Sequence, residues 1–531
     1  IAFSAFVPGK EETYAALPKA PEGAEWAKKA IYINELQFRN DGRGFVKPGK
    51  THIFVVPAMG GTPRQLTTGE FNHTSSLSWA GDGSKIYFSA NRHDNHKMET
   101  RNSEVYSVDV MSGDIVVLTD RFGPDGNPAV SPDGSKIAYS GSDDERMGYH
   151  TNRLYVMDVD GSDKKVLTPE FDRSVGTFHW VGDDIYFQYT DKGDIKVAKV
   201  DMDGDMVDVT SGIGSAGFGR PYAGGTFNVA KDGRVVMTYG DATDQSNIAV
   251  ASRNGRRVEQ ITDINADLLD YRKLGEVEEV WYKSSHDGLD IQGWIIKPTD
   301  FDPAKKYPLI LEIHGGPFTA YGPHFAAELQ LMANNGYMVL YTNPRGSTSY
   351  GYDFANEIHH NYPSNDYDDL MSGVDHVISL GNVDPDKLYV TGGSGGGVLS
   401  AWIIGKTDRF KAAVVAKPVI NWTSFTLYSD MSLASAKYWF GSMPWDDQEN
   451  YWRRSPLSLV GNVTTPTMLL TGELDMRTPM SESEQYYQAL KMQEVEAVLV
   501  RIPGSYHGIT ARPSNLITKI QHVVKWFDDH K

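Results

Sequence analysis

Five residues, Gly392-Gly393-Ser394-Gly395-Gly396, carry the strongest chemical signal in this sequence. They follow a strand-like run, Lys387-Leu388-Tyr389-Val390-Thr391, and precede a helix-like run at 398–404. A serine on a sharp turn between strand and helix is a nucleophile elbow. The turn exposes the hydroxyl at the sheet edge, and the next helix points its amides at developing negative charge. Flanking glycines let chain segments approach without Cβ clashes. Such glycine-flanked serines also occur in flexible loops, so it is the strand and helix around this one that set it apart.

A serine hydroxyl is a weak nucleophile at neutral pH and needs a base and an orienting carboxylate. In an α/β-hydrolase the chain order is serine, acid, histidine. The run from 467 ends in Thr471-Gly472-Glu473-Leu474-Asp475, and the run 498–502 leads into Pro503-Gly504-Ser505-Tyr506-His507-Gly508. Both lie just past strand ends, where open α/β sheets place their sites. Asp475 is preferred over Glu473 because it sits deeper in its loop. The chain has 15 histidines, so His507 is singled out by position and order rather than by residue type. An oxyanion hole needs two backbone donors. The amide of Gly395 supplies one. Gly316, in His314-Gly315-Gly316-Pro317 after the run 309–313, is the candidate for the other, and His314 is expected to be structural.

Positioning these groups requires a sheet. Strand-like runs at 309–313, 338–341, 388–391, 412–416, 467–470 and 497–502 alternate with helix-like runs at 328–335, 367–380, 397–405, 479–491 and 517–528. That alternation predicts a mostly parallel sheet covered on both faces. A hairpin turning at His286-Asp287-Gly288 precedes it.

The first half follows a different pattern. A turn-and-strand unit appears as GDGSKIYFSA at 81–90 and SPDGSKIAYS at 131–140, with weaker copies at 181–190 and 231–240. A strand-turn-strand unit closes each time on a threonine: Thr67, Thr119, Thr168, Thr210 and Thr262. Short alternating strands at this period predict four-stranded propeller blades, each needing its neighbours for burial. The expected fold is therefore an N-terminal β-propeller over 1–274 and a C-terminal α/β-hydrolase domain over 275–531. IAFSA at 1–5 matches a blade strand without its preceding turn, so the propeller is expected to be N-terminally incomplete in this chain; a five-bladed propeller closed by a terminal strand is the other reading. Residues 10–50 look like an insertion, with a surface hairpin at 32–45 reaching a partner domain.

Composition narrows the options. The net charge is −18, a poor surface for nucleic acid or an anionic membrane. No apolar run is long enough to span a bilayer. There are no cysteines, which excludes disulfides, thiolate metal sites and cysteine catalysis. The N-terminal residues do not read as a signal peptide, and compartment and homo-oligomerisation stay open. Asp201-Met202-Asp203-Gly204-Asp205 lacks the rest of a calcium loop and reads as a hairpin turn. No metal or cofactor is expected.

Taken together, the chain resembles the prolyl oligopeptidase family of serine peptidases, especially its acylaminoacyl-peptidase and dipeptidyl-peptidase V-like branch. The resemblance rests on the blade repeats, His314-Gly315-Gly316-Pro317, Asn343-Pro344-Arg345-Gly346-Ser347, the glycines around Ser394, Pro418-Val419-Ile420-Asn421-Trp422 and the stretch 472–479. It implies an oligopeptide substrate cut near its N-terminus, a propeller that restricts entry, and a cavity between two domains. It puts Ser394, Asp475 and His507 on the triad positions and Gly316 and Gly395 on the oxyanion positions. Val419, Trp422, Phe425 and Tyr428 become candidates for the pocket that takes the residue before the cut. Arg345 and Arg477 become candidates either for holding the site loops or for binding a substrate carboxylate. The family usually carries a tyrosine after the nucleophile, where this chain has Gly395, and no clear counterpart appears of the paired glutamates that bind a free substrate N-terminus. A carboxylesterase and a non-catalytic propeller scaffold remain as alternatives.

Overall fold

The structure, a computed structural model, describes residues 1–74, 76–215 and 217–531. The chain divides into two compact units. One comprises Ile1–Gly141 with Met157–Lys164, the other Ser142–Val156 with Lys165–Lys531.

The first unit is built of antiparallel sheets. Ala2–Pro8 pairs along its whole length with Gly49–Val55, which pairs in turn with Arg64–Gln65. Residues 9–48 are thus an excursion between two paired strands, and within it Arg39–Asn40 and Gly44–Phe45 form a short hairpin. Ser78–Trp79, Lys85–Ala90, Glu104–Asp109 and Ile115–Val117 make a four-stranded sheet. Ile53, Ile86, Phe88 and Val108 of these two sheets are buried in one shared core.

The second unit holds two more four-stranded antiparallel sheets, one from Phe178–Val181 to Met206–Thr210 and one from Phe227–Val229 to Val258–Gln260. The repeating threonines have a physical role in both units. Thr67, Thr119, Thr168 and Thr262 each accept, through Oγ1, the backbone N–H of the residue 14 positions earlier, at 2.8–3.0 Å. The hydroxyl continues the ladder where the last short strand runs out, so a buried amide keeps its partner.

The rest of the second unit is one eight-stranded sheet. Its strands are β1 (Val277–Lys283), β2 (Asp290–Ile296), β3 (Tyr307–Ile313), β4 (Met338–Asn343), β5 (Val383–Gly393), β6 (Ala412–Ala416), β7 (Thr467–Gly472) and β8 (Ala497–Ile502), in the order β1-β2-β4-β3-β5-β6-β7-β8. All neighbours run parallel except where β2 meets β1 and β4. Parallel strands covered on both faces are apolar at successive positions rather than alternate ones. Accordingly Leu309, Leu311 and Ile313 enter one core, while Ile310 between them enters the other. The first core is completed by helices α1 (Asp366–Ser379) and α2 (Gly395–Lys406), the second by α3 (Pro513–Asp528). Residues 395–405 of α2 are all buried. The loops after β3 and β5 leave adjacent strand ends at the point where strand order switches, which is where such sheets bind ligands.

No helix among the described residues is long and apolar enough to cross a membrane. Among the described residues no group of three or more His, Cys, Asp or Glu is arranged to hold a metal ion.

In the first unit the Thr119 hydroxyl also donates to Glu104, at 2.6 Å. Burial pushes the Glu104 carboxyl up to about 7, against the pull of that bond and with repulsion from Asp125 adding to it. A carboxyl with a higher pKa folded than unfolded binds protons on folding, so stability present at low pH is lost as pH rises from 4.5 towards 7. Glu104→Gln is expected to leave the melting temperature unchanged at pH 4.5 and to stabilise the protein at pH 8.5 by about 1–3 kcal/mol. Thermal unfolding at the two pH values checks this.

Candidate active site

Ser394 sits where β5 turns into α2, at φ 61° and ψ −118°. A non-glycine residue there carries strain of about 1–3 kcal/mol, held by its surroundings. The Ser394 amide donates to Ala416 O at 3.1 Å, and its carbonyl starts the helix by accepting from Val398. The glycines around it mark close approaches. A Cβ on Gly396 would lie 2.1 Å from Ile313 O, and one on Gly395 would lie 2.9–3.1 Å from backbone atoms of Gly316. The two residues expected to supply oxyanion donors therefore touch, and a side chain on Gly395 has no room to start.

The loop bearing Gly316 is held from behind. The His314 ring nitrogens lie 2.6 Å from Gly315 O and 2.9 Å from Ser347 Oγ, and burial lowers its pKa to about 4, which keeps it neutral. Tyr222 contributes a hydroxyl that accepts from Gly315 N at 2.8 Å, while Ala223 N donates to Ala320 O. The segment 217–223 thus braces the loop after β3. Nothing in the spacing of the sequence signalled Tyr222, because the contact joins residues distant along the chain.

Asp475 and His507 meet. His507 Nδ1 lies 2.8 Å from Asp475 Oδ2, with the Asp475 side chain fully buried and His507 partly exposed. Asp475 also accepts from the amides of Arg477 and Thr478, at 2.9 and 2.8 Å, and from Thr478 Oγ1 at 3.1 Å. Four donors fix the carboxylate and orient the imidazole. The loops carrying them are joined by backbone bonds from Glu473 N to Ile502 O and from Leu474 N to Ser505 O. Glu473, the competing acid, points outward to Arg501.

Ser394, Gly316, Gly395 and His507 line one cavity of about 620 Å³. Val419, Trp422 and Phe425 line it too, and Trp439 stacks parallel to Phe425. Glu482 fixes this apolar wall: it accepts from the amides of Ile420 and Asn421, both at 2.9 Å, and from Ser424 Oγ. One expected pocket residue lies elsewhere, and Arg345 takes the loop-holding role rather than the substrate-binding one. Tyr428 ends its short helix with its ring half exposed, away from the cavity lining. Arg345 is buried, with its guanidinium committed to Asp369, Asp287 and Ser284, so it ties the loop after β4 to α1 and to the β1–β2 turn rather than reaching substrate. Arg477 lines the cavity and pairs with Asp430.

One wall of the cavity is charged. Arg220 pairs with Glu312 at 2.8 Å and approaches Glu328 at 3.5 Å, Lys519 pairs with Glu328 at 2.5 Å, and Lys417 donates to His507 O at 2.8 Å. Burial works against the Glu328 carboxylate, but Lys519 and Arg220 outweigh it and hold its pKa below the usual range. The sequence gives no hint of this cluster, since its members come from five separate stretches of the chain.

Residues 323–531 match the model of the prolyl oligopeptidase family, and residues 37–146 that of the dipeptidyl peptidase IV N-terminal region. By that match, residues 323–531 are those of a prolyl oligopeptidase family hydrolase region. It is 39% identical over 279 residues to the uncharacterized peptidase YuxL of Bacillus subtilis, a match covering 52% of this chain and 42% of that protein. It is 27% identical over 492 residues to dipeptidyl-peptidase 5 of Porphyromonas gingivalis, covering 88% of this chain and 69% of that one. The chain thus spans under half of the first relative and about seven tenths of the second. The acylaminoacyl peptidase of Pyrococcus horikoshii superposes with a TM-score of 0.83 at 24% identity, over 100% of this chain and 79% of that one. That likeness shows the fold, a propeller part and an α/β-hydrolase part.

The contact between Gly395 and Gly316 sets a clear expectation. Gly395→Ala should push the loop after β3 outward and slow labelling of Ser394 by a fluorophosphonate roughly tenfold to a hundredfold, with the fold kept. Labelling rates alongside a circular dichroism spectrum check it.

Proposed function

We propose that this chain is a serine peptidase that cuts oligopeptides near their N-terminus, as a dipeptidyl- or acylaminoacyl-peptidase, through an acyl-enzyme on Ser394. The observation that carries this reading is the 2.8 Å bond from His507 to a four-donor Asp475, in loops that share one cavity with a strained Ser394. His507 Nε2 takes the Ser394 proton as Oγ attacks the scissile carbonyl. Asp475 holds Nδ1–H and stabilises the imidazolium. The amides of Gly395 and Gly316 receive the oxyanion. His507 then gives the proton to the leaving amine, and water repeats the sequence to free the acyl part.

On this reading Val419, Trp422 and Phe425 select an apolar residue before the cut. Residues 1–274 act as the propeller and 275–531 as the hydrolase part, with four-stranded blades as its repeating unit. The threonine bond that recurs from blade to blade supports that repeat. The bracing segment 217–223 connects the last two of these repeats and walls the cavity, which supports a propeller that limits access to short, unfolded chains.

Ser394→Ala is expected to remain folded and to lose at least a thousandfold in turnover of peptide p-nitroanilides. Parallel assays with free and acetylated N-termini decide between dipeptidyl and acylaminoacyl cleavage. Turnover near the wild-type rate in the alanine variant would sink the assignment.

A further inference from the structure

The charged wall contains three cations, Arg220, Lys417 and Lys519, against two carboxylates, Glu312 and Glu328. Arg220 and Lys519 share both carboxylates between them. Lys417 has no carboxylate in ion-pair range among the described residues; its one bond is to the carbonyl of His507. Burial lowers its pKa to about 8, with repulsion from Lys519 and Arg220 adding to that and attraction from Asp475 and Glu328 opposing it. Its backbone is also held at φ 38°, a conformation a lysine adopts at a cost. A cation desolvated without a counter-ion destabilises a fold unless something else neutralises it.

The position of the excess charge says what would neutralise it. Lys417 and Arg220 both line the cavity beside Gly393, the residue before the nucleophile. A Cβ on Gly393 would lie 3.1 Å from Lys417 Cε and 3.4 Å from Arg220 Nη1, so the missing side chain leaves the two cations open to the site. Lys417 is bonded to the backbone of the residue whose imidazole must protonate the leaving amine. The apolar wall of Val419, Trp422 and Phe425 accounts for the other side of the scissile bond. Resting on the peptidase reading above, we propose that Lys417 and Arg220 form a subsite for a substrate carboxylate on the leaving-group side. The preferred substrates are then short peptides whose departing part carries a carboxylate within one or two residues of the cut. A charge-assisted bond to a partly desolvated lysine and arginine is strong enough to dominate the choice.

The test uses three peptides with one acyl part and one apolar residue before the cut, followed by glycine as the free acid, glycine amide, or aspartic acid amide. The free acid is expected to exceed the glycine amide in kcat/KM by roughly tenfold or more at pH 7. That ratio should fall as pH rises through about 8, where Lys417 loses its charge. Lys417→Met should bring the ratio close to one, and Lys417→Arg should restore it, each variant being compared only with itself. Aspartic acid amide matching the free acid would assign the site to side-chain carboxylates, and its matching glycine amide would assign it to the chain end; either supports a carboxylate subsite. A wild-type ratio near one, or a ratio unchanged in Lys417→Met, overturns the subsite. If none of the peptides nor the p-nitroanilides is turned over, the peptidase reading fails first and this inference with it. Equal turnover of acid and amide leaves that reading standing and removes only the subsite.

Discussion

The site depends on how closely three chain segments pass one another around Ser394. The carbonyl of Ile313 occupies the space where a side chain on Gly396 would begin, and Gly316 does the same to Gly395. Because no Cβ intervenes, the end of β3, the end of β5 and the first turn of α2 share one small volume. The strained backbone of Ser394 is the local cost of that packing, and the helix behind it, buried from 395 to 405, offsets the cost by removing apolar surface from water. Loosening any one of the three segments would shift the hydroxyl and the oxyanion donors together.

Local features of the sequence revealed the parts governed by local rules. The glycine cluster between a strand and a helix disclosed the elbow, and Ala412–Ala416 and Ala497–Ile502 have the strand bounds that their β-branched and small residues suggest. The order of Asp475 and His507 followed from the chain path of the fold. Tyr428 was misjudged, and Arg345 took the loop-holding one of its two expected roles, for one reason: sequence shows that a residue is near a motif but not which way its side chain turns. Arg345 found two carboxylates nearer than the cavity, and Tyr428 lies at a helix end where its ring faces outward. Tyr222, Arg220 and Glu482 were invisible because each acts on a segment far away in sequence.

Charge is distributed in the cavity by the same logic. Glu482, Glu328 and Asp475 are carboxylates with little or no exposure, and each has several donors to meet it. Buried charge is tolerable only when it is paired or hydrogen-bonded, and these groups meet that condition. Among the cations of the wall, Lys417 is the exception in pairing, since Arg220 and Lys519 meet Glu312 and Glu328. It lines the same cavity as the apolar residues Val419, Trp422 and Phe425, so that cavity offers both hydrocarbon and cationic surface.

The excursion of residues 9–48 has a consequence for how the first sheet forms. Ala2–Pro8 and Gly49–Val55 match residue for residue, yet they are joined by roughly forty residues, where Asp184–Asp191 and Asp194–Val200 are joined by a two-residue turn. Closing a loop ten times longer than a hairpin turn costs about 2 kcal/mol more in chain entropy. The pairing must recover that from its ladder and from Ile53 in the core. Such a sheet is slow to nucleate and opens before its neighbours do. The earliest protease nicks and the fastest amide exchange in the first unit would therefore fall along this edge, well before the loops that hold the serine begin to move.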